Sequence, residues 1–201
     1  IFFFFNFTTF TDLPLSTATL RAVSDLGFTA LTPIQAKILP HTLAHQDAIG
    51  QAQTGTGKTA TFLLTIMEAL LKRPFTNDEE RYLGEPRAVV MAPTRELAQQ
   101  IFDDCIALTK YTSLHSVCIM GGTNYETQQH ELERQYVDIL VATPGRLIDL
   151  ANKGMVYLDR VEALVLDEAD RMLDMGFIPD IKRLVGRVPA NTDRQSLLFS
   201  A

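Results

Sequence analysis

A glycine-rich segment, AQTGTGKT at residues 52–59, lies between two runs of different periodicity. The run before it, residues 47–50, is short and apolar, whereas the run after it, residues 59–72, has apolar side chains at helical spacing. Gly55 and Gly57 allow the backbone between these runs to curl tightly. The three parts predict a strand, a loop and a helix in direct succession, which is the repeating unit of α/β folds.

The alternation of apolar and helical runs continues through the rest of the chain. Short runs that are almost wholly apolar predict buried strands at residues 47–50, 88–92, 116–120, 138–142, 163–166 and 196–199. Other runs predict helices at residues 59–72, 95–110, 125–135, 146–153 and 178–185, and a further helix carries residues 36–39. Apolar strands without polar alternation are expected in a parallel sheet that is covered on both faces. The predicted fold is therefore α/β, with a doubly wound, mostly parallel sheet.

Composition narrows the class of protein. The 201 residues, 46% of them hydrophobic, suit one globular domain and are too apolar for a disordered segment. The formal net charge of −6 argues against a simple basic-patch nucleic-acid binder, but not against contacts made by backbone amides and a few arginines. No apolar run reaches the roughly 18 residues of a membrane span. Cys105 and Cys118 are expected to be free thiols in a reducing compartment, so we predict a soluble cytoplasmic protein.

Two segments depart from this pattern. The first, IFFFFNF at residues 1–7, is interpreted as part of an apolar N-terminal arm, residues 1–9, that packs on this domain or on a neighbouring one. The domain itself then covers residues 10–201. The second segment, residues 73–81, combines a proline with a run of charged residues and is predicted to be a surface loop.

The glycine-rich segment has the features of a phosphate-binding loop, although Ala52 stands where the general pattern has glycine. Backbone N–H groups of such a loop hold nucleotide phosphates, and the N-terminus of the following helix favours negative charge. Lys58 is expected to reach the β- and γ-phosphates, and the Thr59 hydroxyl is expected to ligate Mg²⁺. A plain glycine-rich turn is the alternative interpretation.

Carboxylates follow the strand predicted at residues 163–166. Asp167 occupies the position from which a phosphate-binding enzyme holds Mg²⁺, and Glu168 is suited to polarise an attacking water as a general base. The alternative is that these acids only open the next helix, where negative charge is favourable. The histidines and cysteines show no zinc-type spacing, so Mg²⁺ is the predicted metal.

A candidate for reading the nucleotide base lies upstream. Gln35, near the start of the helix that carries residues 36–39, has a carboxamide that donates and accepts at once, which matches N6 and N7 of adenine. Phe10, which lies 17 residues before Gly27, is a candidate to stack on the base. The alternative for Gln35 is an exposed side chain at a helix start.

Two further helix starts share one plan. Arg95 and Arg146 each lie in the first turn of a predicted helix that follows an apolar strand, and a threonine stands at the predicted N-cap of each helix. Arginine in a first turn opposes the helix dipole, so it is best explained by an anion that docks there. Gly121-Gly122 follows a third strand and permits close approach of a backbone. Together these residues predict a track for a polyanion. The alternative is that the arginines pair with local carboxylates such as Asp167 or Asp170.

Taken in this order, the residues resemble the DEAD-box RNA helicase family, and specifically its first RecA-like domain. The resemblance extends from Phe10 to Ala201 and is strongest in its motifs. Residues 27–35 with Phe10 resemble the adenine-reading Q motif, with Leu31 where proline is common. Residues 52–59 resemble motif I, and residues 93–98 resemble motif Ia. Residues 167–170 spell DEAD, after which the family is named, and the surrounding sequence looks most like bacterial members.

The resemblance implies a role for each candidate residue. ATP would be bound by Phe10, Thr32, Gln35, Gly55, Thr56, Gly57, Lys58 and Thr59. RNA backbone would be bound by Pro93, Thr94, Arg95, Gly121, Gly122, Thr143 and Arg146. Catalysis would fall to Lys58, Asp167 and Glu168, with Mg²⁺ held at Thr59 and Asp167 largely through water. Asp170 and Ser200 would couple this domain to a second RecA-like domain.

The implied activity is RNA-stimulated ATP hydrolysis coupled to local unwinding of RNA duplexes or to remodelling of RNA–protein complexes. Recognition through the backbone implies little sequence preference. Family members continue beyond Ser200-Ala201 with a threonine and then a second RecA-like domain, which supplies an arginine finger. We therefore expect these 201 residues alone to bind adenine nucleotide weakly and to hydrolyse ATP negligibly.

Two other functions stay open at this point. A nucleotide-gated binding module would hold RNA or a protein without hydrolysis, and it would not need Glu168 beside the metal carboxylate. A P-loop enzyme of small-molecule metabolism is the second alternative, against which Arg95, Arg146 and Gly121-Gly122 argue together.

Overall fold

The computed structural model describes residues 7–74 and 81–201, and its centre is a parallel sheet. Six strands form this sheet in the order β1-β6-β5-β2-β4-β3. They are β1 (Ala48–Gln51), β2 (Ala88–Met91), β3 (Ser116–Ile119), β4 (Ile139–Ala142), β5 (Ala163–Leu166) and β6 (Gln195–Ser200). The helices are α1 (Thr17–Asp25), α2 (Pro33–Thr42), α3 (Lys58–Lys72), α4 (Arg95–Thr109), α5 (Tyr125–Arg134), α6 (Pro144–Asn152), α7 (Ala169–Asp174) and α8 (Ile178–Val185). All five strand pairings are parallel.

The helices cover both faces of the sheet. Strand side chains alternate between two apolar clusters: in β2, Val90 belongs to the cluster formed with α1 to α4, whereas Val89 belongs to the cluster formed with α5 to α8. Strands β2 and β4 are buried at every position and β5 at three of its four, and all three are wholly apolar, which is the pattern that the sequence displayed. The edge strand β1 is more open, with Ile49 81% exposed, and β6 alternates between buried and partly buried positions. The predicted doubly wound α/β fold is confirmed, and the sheet is wholly parallel.

The sheet brings the ends of distant strands to one edge. In the register, Met91 of β2 lies beside Leu166 of β5 and Ala142 of β4, and Ile119 of β3 lies beside Ala142. The residues that follow these strands therefore meet along the carboxyl edge, where open α/β sheets bind their ligands.

Most predicted element bounds differ from the observed ones by one or two residues, for local reasons. Strand β1 begins one residue later than predicted because the Asp47 carboxylate accepts a hydrogen bond from the backbone of Ser196 at 2.8 Å. Strand β6 includes the polar Gln195 because its buried amide donates to two backbone carbonyls of the α2 end and its following loop. Helix α6 begins at Pro144, directly after the predicted N-cap residue Thr143, whereas the apolar periodicity indicated it only from residue 146; proline is tolerated at the first helical position.

Two helices were not predicted. Helix α1 is stabilised by a tertiary contact: Oε1 of Glu68 on α3 accepts hydrogen bonds from Ser16 and Thr19 at 2.6–2.9 Å. Helix α7 has only six residues, which is too short to show a periodicity.

The predicted arm and surface loop fall partly outside the described residues, at residues 1–6 and 75–80. Of the arm, Phe7 packs against the core cluster of α1 to α4, and the Thr8 carbonyl accepts a hydrogen bond from the Leu31 backbone at 2.9 Å. Cys105 and Cys118 are free. Within residues 7–74 and 81–201, no helix has the length and apolar character that a membrane crossing requires.

Candidate functional site

A cavity of about 460 Å³ opens at the carboxyl edge of the sheet, where β1 and β5 end. Its wall consists of the glycine-rich loop, the first turn of α3, the segment before α2, part of α4 and the carboxylates that follow β5. The predicted site residues that line it are Thr32, Gln35, Gly55, Gly57, Lys58, Thr59, Asp167 and Glu168. Side chains from four separate parts of the sequence therefore meet at one cavity.

The glycine-rich loop has a backbone that only glycine adopts easily. Gly55 and Gly57 have φ of +81° and +92°, in the left-handed region. A Cβ atom on Gly57 would also lie 2.5 Å from Nε2 of Gln35. The Thr56 hydroxyl turns back and donates to the Gln53 carbonyl at 2.7 Å, which braces the loop. The loop is thus a formed cradle, as phosphate binding requires.

Lys58 is buried beneath this loop. Its Nζ donates to the backbone carbonyls of Ala52 and of Ser200, the latter at 2.9 Å. Ser200 is the last residue of β6, and its carbonyl also accepts from the Ala52 backbone at 3.2 Å. The ammonium group therefore connects the loop with the end of β6.

Asp167 and Glu168 stand side by side but in different environments. Asp167 is only 3% exposed, and this burial raises its pKa to about 6, although a backbone hydrogen bond from Glu168 and the charge of Lys58 act in the opposite direction. Glu168 has φ of +51°, and its Oε2 accepts from Nη1 of Arg171 at 3.0 Å. Glu168 is the N-cap residue of α7, but its side chain makes no capping hydrogen bond. The dipole of α7 can favour negative charge without such a bond, so the helix-opening interpretation stays beside the catalytic one.

The residues fit a magnesium nucleotide. The hydroxyl of Thr59 and the carboxylate of Asp167 line the same cavity as Lys58, and oxygen ligands are those that Mg²⁺ prefers. A Cβ atom on Gly55 would meet nothing within 4 Å, so this position of the loop has open space, whereas the space beside Gly57 is filled by Gln35. In the part of the chain that is described, no three His, Cys, Asp or Glu residues form a metal-binding group.

Gln35 joins α2 to the glycine-rich loop. Its Oε1 accepts from the Thr32 backbone at 2.9 Å, and its own backbone N–H donates to the Thr32 hydroxyl at 3.4 Å, which makes a capping box. Its Nε2 donates to the Gly57 carbonyl at 3.3 Å. The side chain is buried, so the alternative of an exposed glutamine is wrong, and its position couples the end of the cavity near α2 to the loop.

Phe10 does not line the cavity. Its ring is 4% exposed and stacks on Phe28, with ring centroids 6.2 Å apart and an angle of 25° between the planes. Phe28 is 40% exposed and does line the cavity. Sequence reasoning missed Phe28, although an aromatic side chain directly after Gly27 was a visible signal. It also missed the cavity-lining residues of α4, which are Leu97, Gln100 and Asp104.

A second depression, a groove of about 580 Å³, follows the same edge beyond β2 and β4. The predicted residues that line it are Pro93, Thr94, Arg95, Gly121, Thr143 and Arg146. Gly122 lies against the groove, since a Cβ there would collide with the Arg95 guanidinium. Met175 and Phe177, which follow α7, also line it and were not predicted.

The two threonines before the groove helices behave differently. The Thr94 hydroxyl caps α4 by accepting from the Leu97 backbone at 3.3 Å, as predicted. Thr143 is the N-cap residue of α6, but the prediction that its hydroxyl caps the helix is wrong. The hydroxyl accepts instead from the Gly121 backbone at 3.3 Å, because β3 and β4 are neighbours and bring that N–H within reach. It therefore shapes the groove.

The groove arginines do not pair with acids. None of the ion pairs found among the described residues joins Arg95 or Arg146 to a carboxylate, so the alternative of local ion pairs is wrong. Arg146 donates through Nη2 to the Thr123 carbonyl at 3.5 Å and lies 5.6 Å from the centre of the Tyr125 ring. Its Nη1 is buried without a hydrogen-bond partner in the structure. Arg146 thus has an unused donor, which an anion in the groove would satisfy if the side chain turned towards it.

Fold and cavity together define a RecA-like P-loop domain, in which a parallel sheet presents a phosphate cradle at its carboxyl edge. Residues 32–201 match the family model described as DEAD/DEAH box helicase. The chain belongs to this family.

Relatives with curated names support the same assignment. The chain is 55% identical over 194 residues to the ATP-dependent RNA helicase RhlB of Pseudomonas putida, covering 96% of this chain and 48% of the relative. Identity and coverage are the same for RhlB of Pseudomonas aeruginosa. RhlB of Shewanella sp. is 49% identical over 192 residues, covering 96% of this chain and 43% of the relative. The chain thus spans about half the length of the curated relatives it matches.

Proposed function

We propose that the full-length protein is a bacterial ATP-dependent RNA helicase and that this chain is its ATP-binding half. The observation that carries the proposal is that the phosphate cradle and the arginine-lined groove share one edge of a single parallel sheet. Relatives named as RNA helicases, such as one that is 55% identical over 194 residues, support the proposal. Ligands at the two places would be close enough for hydrolysis to act on nucleic-acid binding.

ATP hydrolysis follows from the cradle and the two carboxylates. Lys58 and the loop amides neutralise phosphate charge. Thr59 and Asp167 would hold Mg²⁺, largely through water, and the ion would supply charge stabilisation for the transferred phosphoryl group. Glu168 accepts a proton from the attacking water while the oxygen of that water bonds to the γ-phosphorus. The bond from that phosphorus to the β–γ bridging oxygen breaks, which yields ADP and inorganic phosphate.

Adenine recognition is assigned to the segment before α2. Thr32 and Gln35 lie at the end of the cavity where Phe28 presents its ring, and Phe10 supports that ring from behind. The second N–H of the Gln35 carboxamide and the second lone pair of its oxygen remain for the base. The role of Phe10 is thus a supporting one in this proposal.

RNA binding is assigned to the groove. Arg95, Arg146 and the Gly122 amide offer donors to phosphate oxygens rather than to base edges, so little sequence preference is expected. The Gly121 amide already donates to the Thr143 hydroxyl, so Gly121 contributes by allowing close approach of the backbone. Such contacts are local, and for this reason a net charge of −6 does not oppose them.

The second RecA-like domain belongs to this proposal as well. Asp170 is exposed beside the cavity edge, and Ser200 receives the Lys58 hydrogen bond at the end of β6. We assign to Asp170 and Ser200 the contacts that couple nucleotide binding in this domain to the second RecA-like domain. Cytoplasmic location is part of the proposal, because RNA and ATP are its substrates.

The test is ATP hydrolysis by the full-length protein with and without single-stranded RNA. We expect RNA to stimulate turnover, Lys58→Ala to abolish nucleotide binding, and Glu168→Gln to bind ATP and RNA while turnover falls by at least about 100-fold, as for loss of a general base. Arg183→Ala on α8 serves as the control, because Arg183 pairs with Asp180 away from both sites.

Two results would contradict the proposal, each in favour of a different function. RNA binding controlled by nucleotide but without hydrolysis would identify a nucleotide-gated binding module. Hydrolysis that RNA does not stimulate would favour a P-loop enzyme of small-molecule metabolism.

A further inference from the structure

Arg171 contacts Glu168, the proposed general base, but lines neither the nucleotide cavity nor the groove. Arg171 lies on α7, three residues after Glu168, and donates from Nη1 to its Oε2 at 3.0 Å. The Arg171 side chain is 55% exposed and that of Glu168 is 20% exposed. The pair is therefore reachable by water and can separate without unfolding the domain.

The hydrogen bond restricts what Glu168 can do. A carboxylate oxygen that accepts from a guanidinium has fewer lone pairs for a water molecule, and the pair fixes the rotamer of the glutamate. The Glu168 backbone is in the left-handed region at φ +51°, so the turn between β5 and α7 fixes the direction of its Cα–Cβ bond. The Glu168 carboxylate and the Arg171 guanidinium are thus held next to each other by residues 168–171 at the start of α7.

Helix α7 links this pair to the groove. The Arg171 carbonyl accepts from the Met175 backbone at 3.0 Å, and the Met172 carbonyl accepts from the Phe177 backbone at 3.0 Å. Met175 and Phe177 line the groove. A ligand that shifts these two residues would act on Arg171 through one turn of hydrogen-bonded backbone.

We propose that Arg171 is a positioning residue that withholds Oε2 of Glu168 from water while the groove is empty. Occupation of the groove shifts α7, releases the ion pair and frees the carboxylate to accept the proton. Arg171 therefore restrains hydrolysis in the absence of RNA. The inference rests on the proposed function, since it assigns regulation to the same ATP site.

The test is Arg171→Ala in the full-length protein. We expect kcat without RNA to rise about two- to fivefold, kcat with saturating RNA to stay as in the wild type, and KM for ATP to stay unchanged in both cases. A fivefold change corresponds to about 1 kcal/mol at 1.36 kcal/mol per tenfold, which is the upper end for a partly exposed ion pair. Arg171→Lys, which keeps a cation near Glu168, should restore most of the restraint.

Two controls separate positioning from structure. Arg183→Ala removes a similar i,i+3 ion pair, with Asp180 at 3.6 Å on α8, and should leave both rates and the melting temperature unchanged. Arg171→Ala added to Glu168→Gln should not raise the residual rate, because Arg171 acts only through the base.

The possible failures are distinguishable. If the wild type is stimulated by RNA but Arg171→Ala leaves the unstimulated kcat unchanged or lowers it, the restraint is refuted and the proposed function stands. A rise of the same size in the Glu168→Gln background would also refute it. If RNA does not stimulate the wild type at all, both the proposed function and this inference fail.

Discussion

Asp167 and Glu168 are adjacent acids with different surroundings, and this difference governs what each can do. Asp167 is buried at the end of β5, where desolvation raises its pKa to about 6, whereas Glu168 is partly exposed and paired with Arg171. Asp167 lines the same cavity as the glycine-rich loop, where a bound metal ion would offset the cost of its buried charge. The site therefore depends on pH through Asp167.

The pKa of Asp167 predicts how nucleotide binding changes with pH. Because this pKa lies above its ordinary value, the acid is mostly protonated below about pH 6 and loses the negative charge to which we assign Mg²⁺ binding. The apparent affinity for Mg²⁺-ADP should fall roughly tenfold between pH 7 and pH 5 from this group alone. Calorimetric titrations of the wild type and of Asp167→Asn at both pH values check this. Because the variant lacks the carboxylate, its pH dependence measures the contribution of protonation of ADP alone. Equal pH dependence in the two proteins would contradict the assignment.

The glycine-rich loop and the start of α2 act as one unit, because the Gln35 amide bonds to the Gly57 carbonyl. The loop thus owes its shape to a residue 22 positions away as well as to its own glycines. The groove is built in the same manner, with the Thr143 hydroxyl of the β4–α6 junction accepting from the backbone that follows β3. Contacts between elements, rather than within them, complete both sites.

Gly57→Ala tests the unit of loop and α2. The substitution places a Cβ at φ +92° and 2.5 Å from Gln35 Nε2, so we expect the free energy of unfolding to fall by about 1–2 kcal/mol, the cost of left-handed backbone. Nucleotide affinity should fall at least tenfold. Chemical denaturation and calorimetry of the chain, which contains both core clusters, measure the two effects. Gly145→Ala is the matched control, because Gly145 has open space around it and no positive φ. Unchanged nucleotide binding by Gly57→Ala would contradict this account of the loop.

The cavity that we propose for the nucleotide is lined entirely by this chain, whereas the proposed arginine finger would come from a second domain. We expect the 201 residues alone to bind Mg²⁺-ADP in preference to Mg²⁺-GDP and to hydrolyse ATP about 10³- to 10⁵-fold more slowly than the full-length protein with RNA. Parallel titrations with the two diphosphates and a turnover assay provide the measurement. Equal affinity for Mg²⁺-ADP and Mg²⁺-GDP would show that Gln35 and Phe28 do not recognise adenine. Efficient RNA unwinding by this chain would show that the second domain is not needed for activity.

Sequence alone predicted the fold class, which the structure confirms, and it named most of the predicted site residues that line the cavity and the groove. Buried parallel strands need apolar residues on both faces, so β2, β4 and β5 were visible as apolar runs. The glycine-rich loop was visible because its backbone conformation requires particular residue types over a few consecutive positions. Local patterns of this kind are readable without any knowledge of packing.

Only the tertiary structure decided which side chains meet. Phe10 lies behind Phe28, and the Thr143 hydroxyl accepts from Gly121 rather than from its own helix. Among residues 7–74 and 81–201, Arg95 and Arg146 form no ion pair with a carboxylate. These outcomes depend on the order of strands in the sheet and on packing between segments far apart in the chain, which periodicity and composition do not encode. The residue types specified the chemistry that is available, and the sheet order specified where that chemistry is assembled.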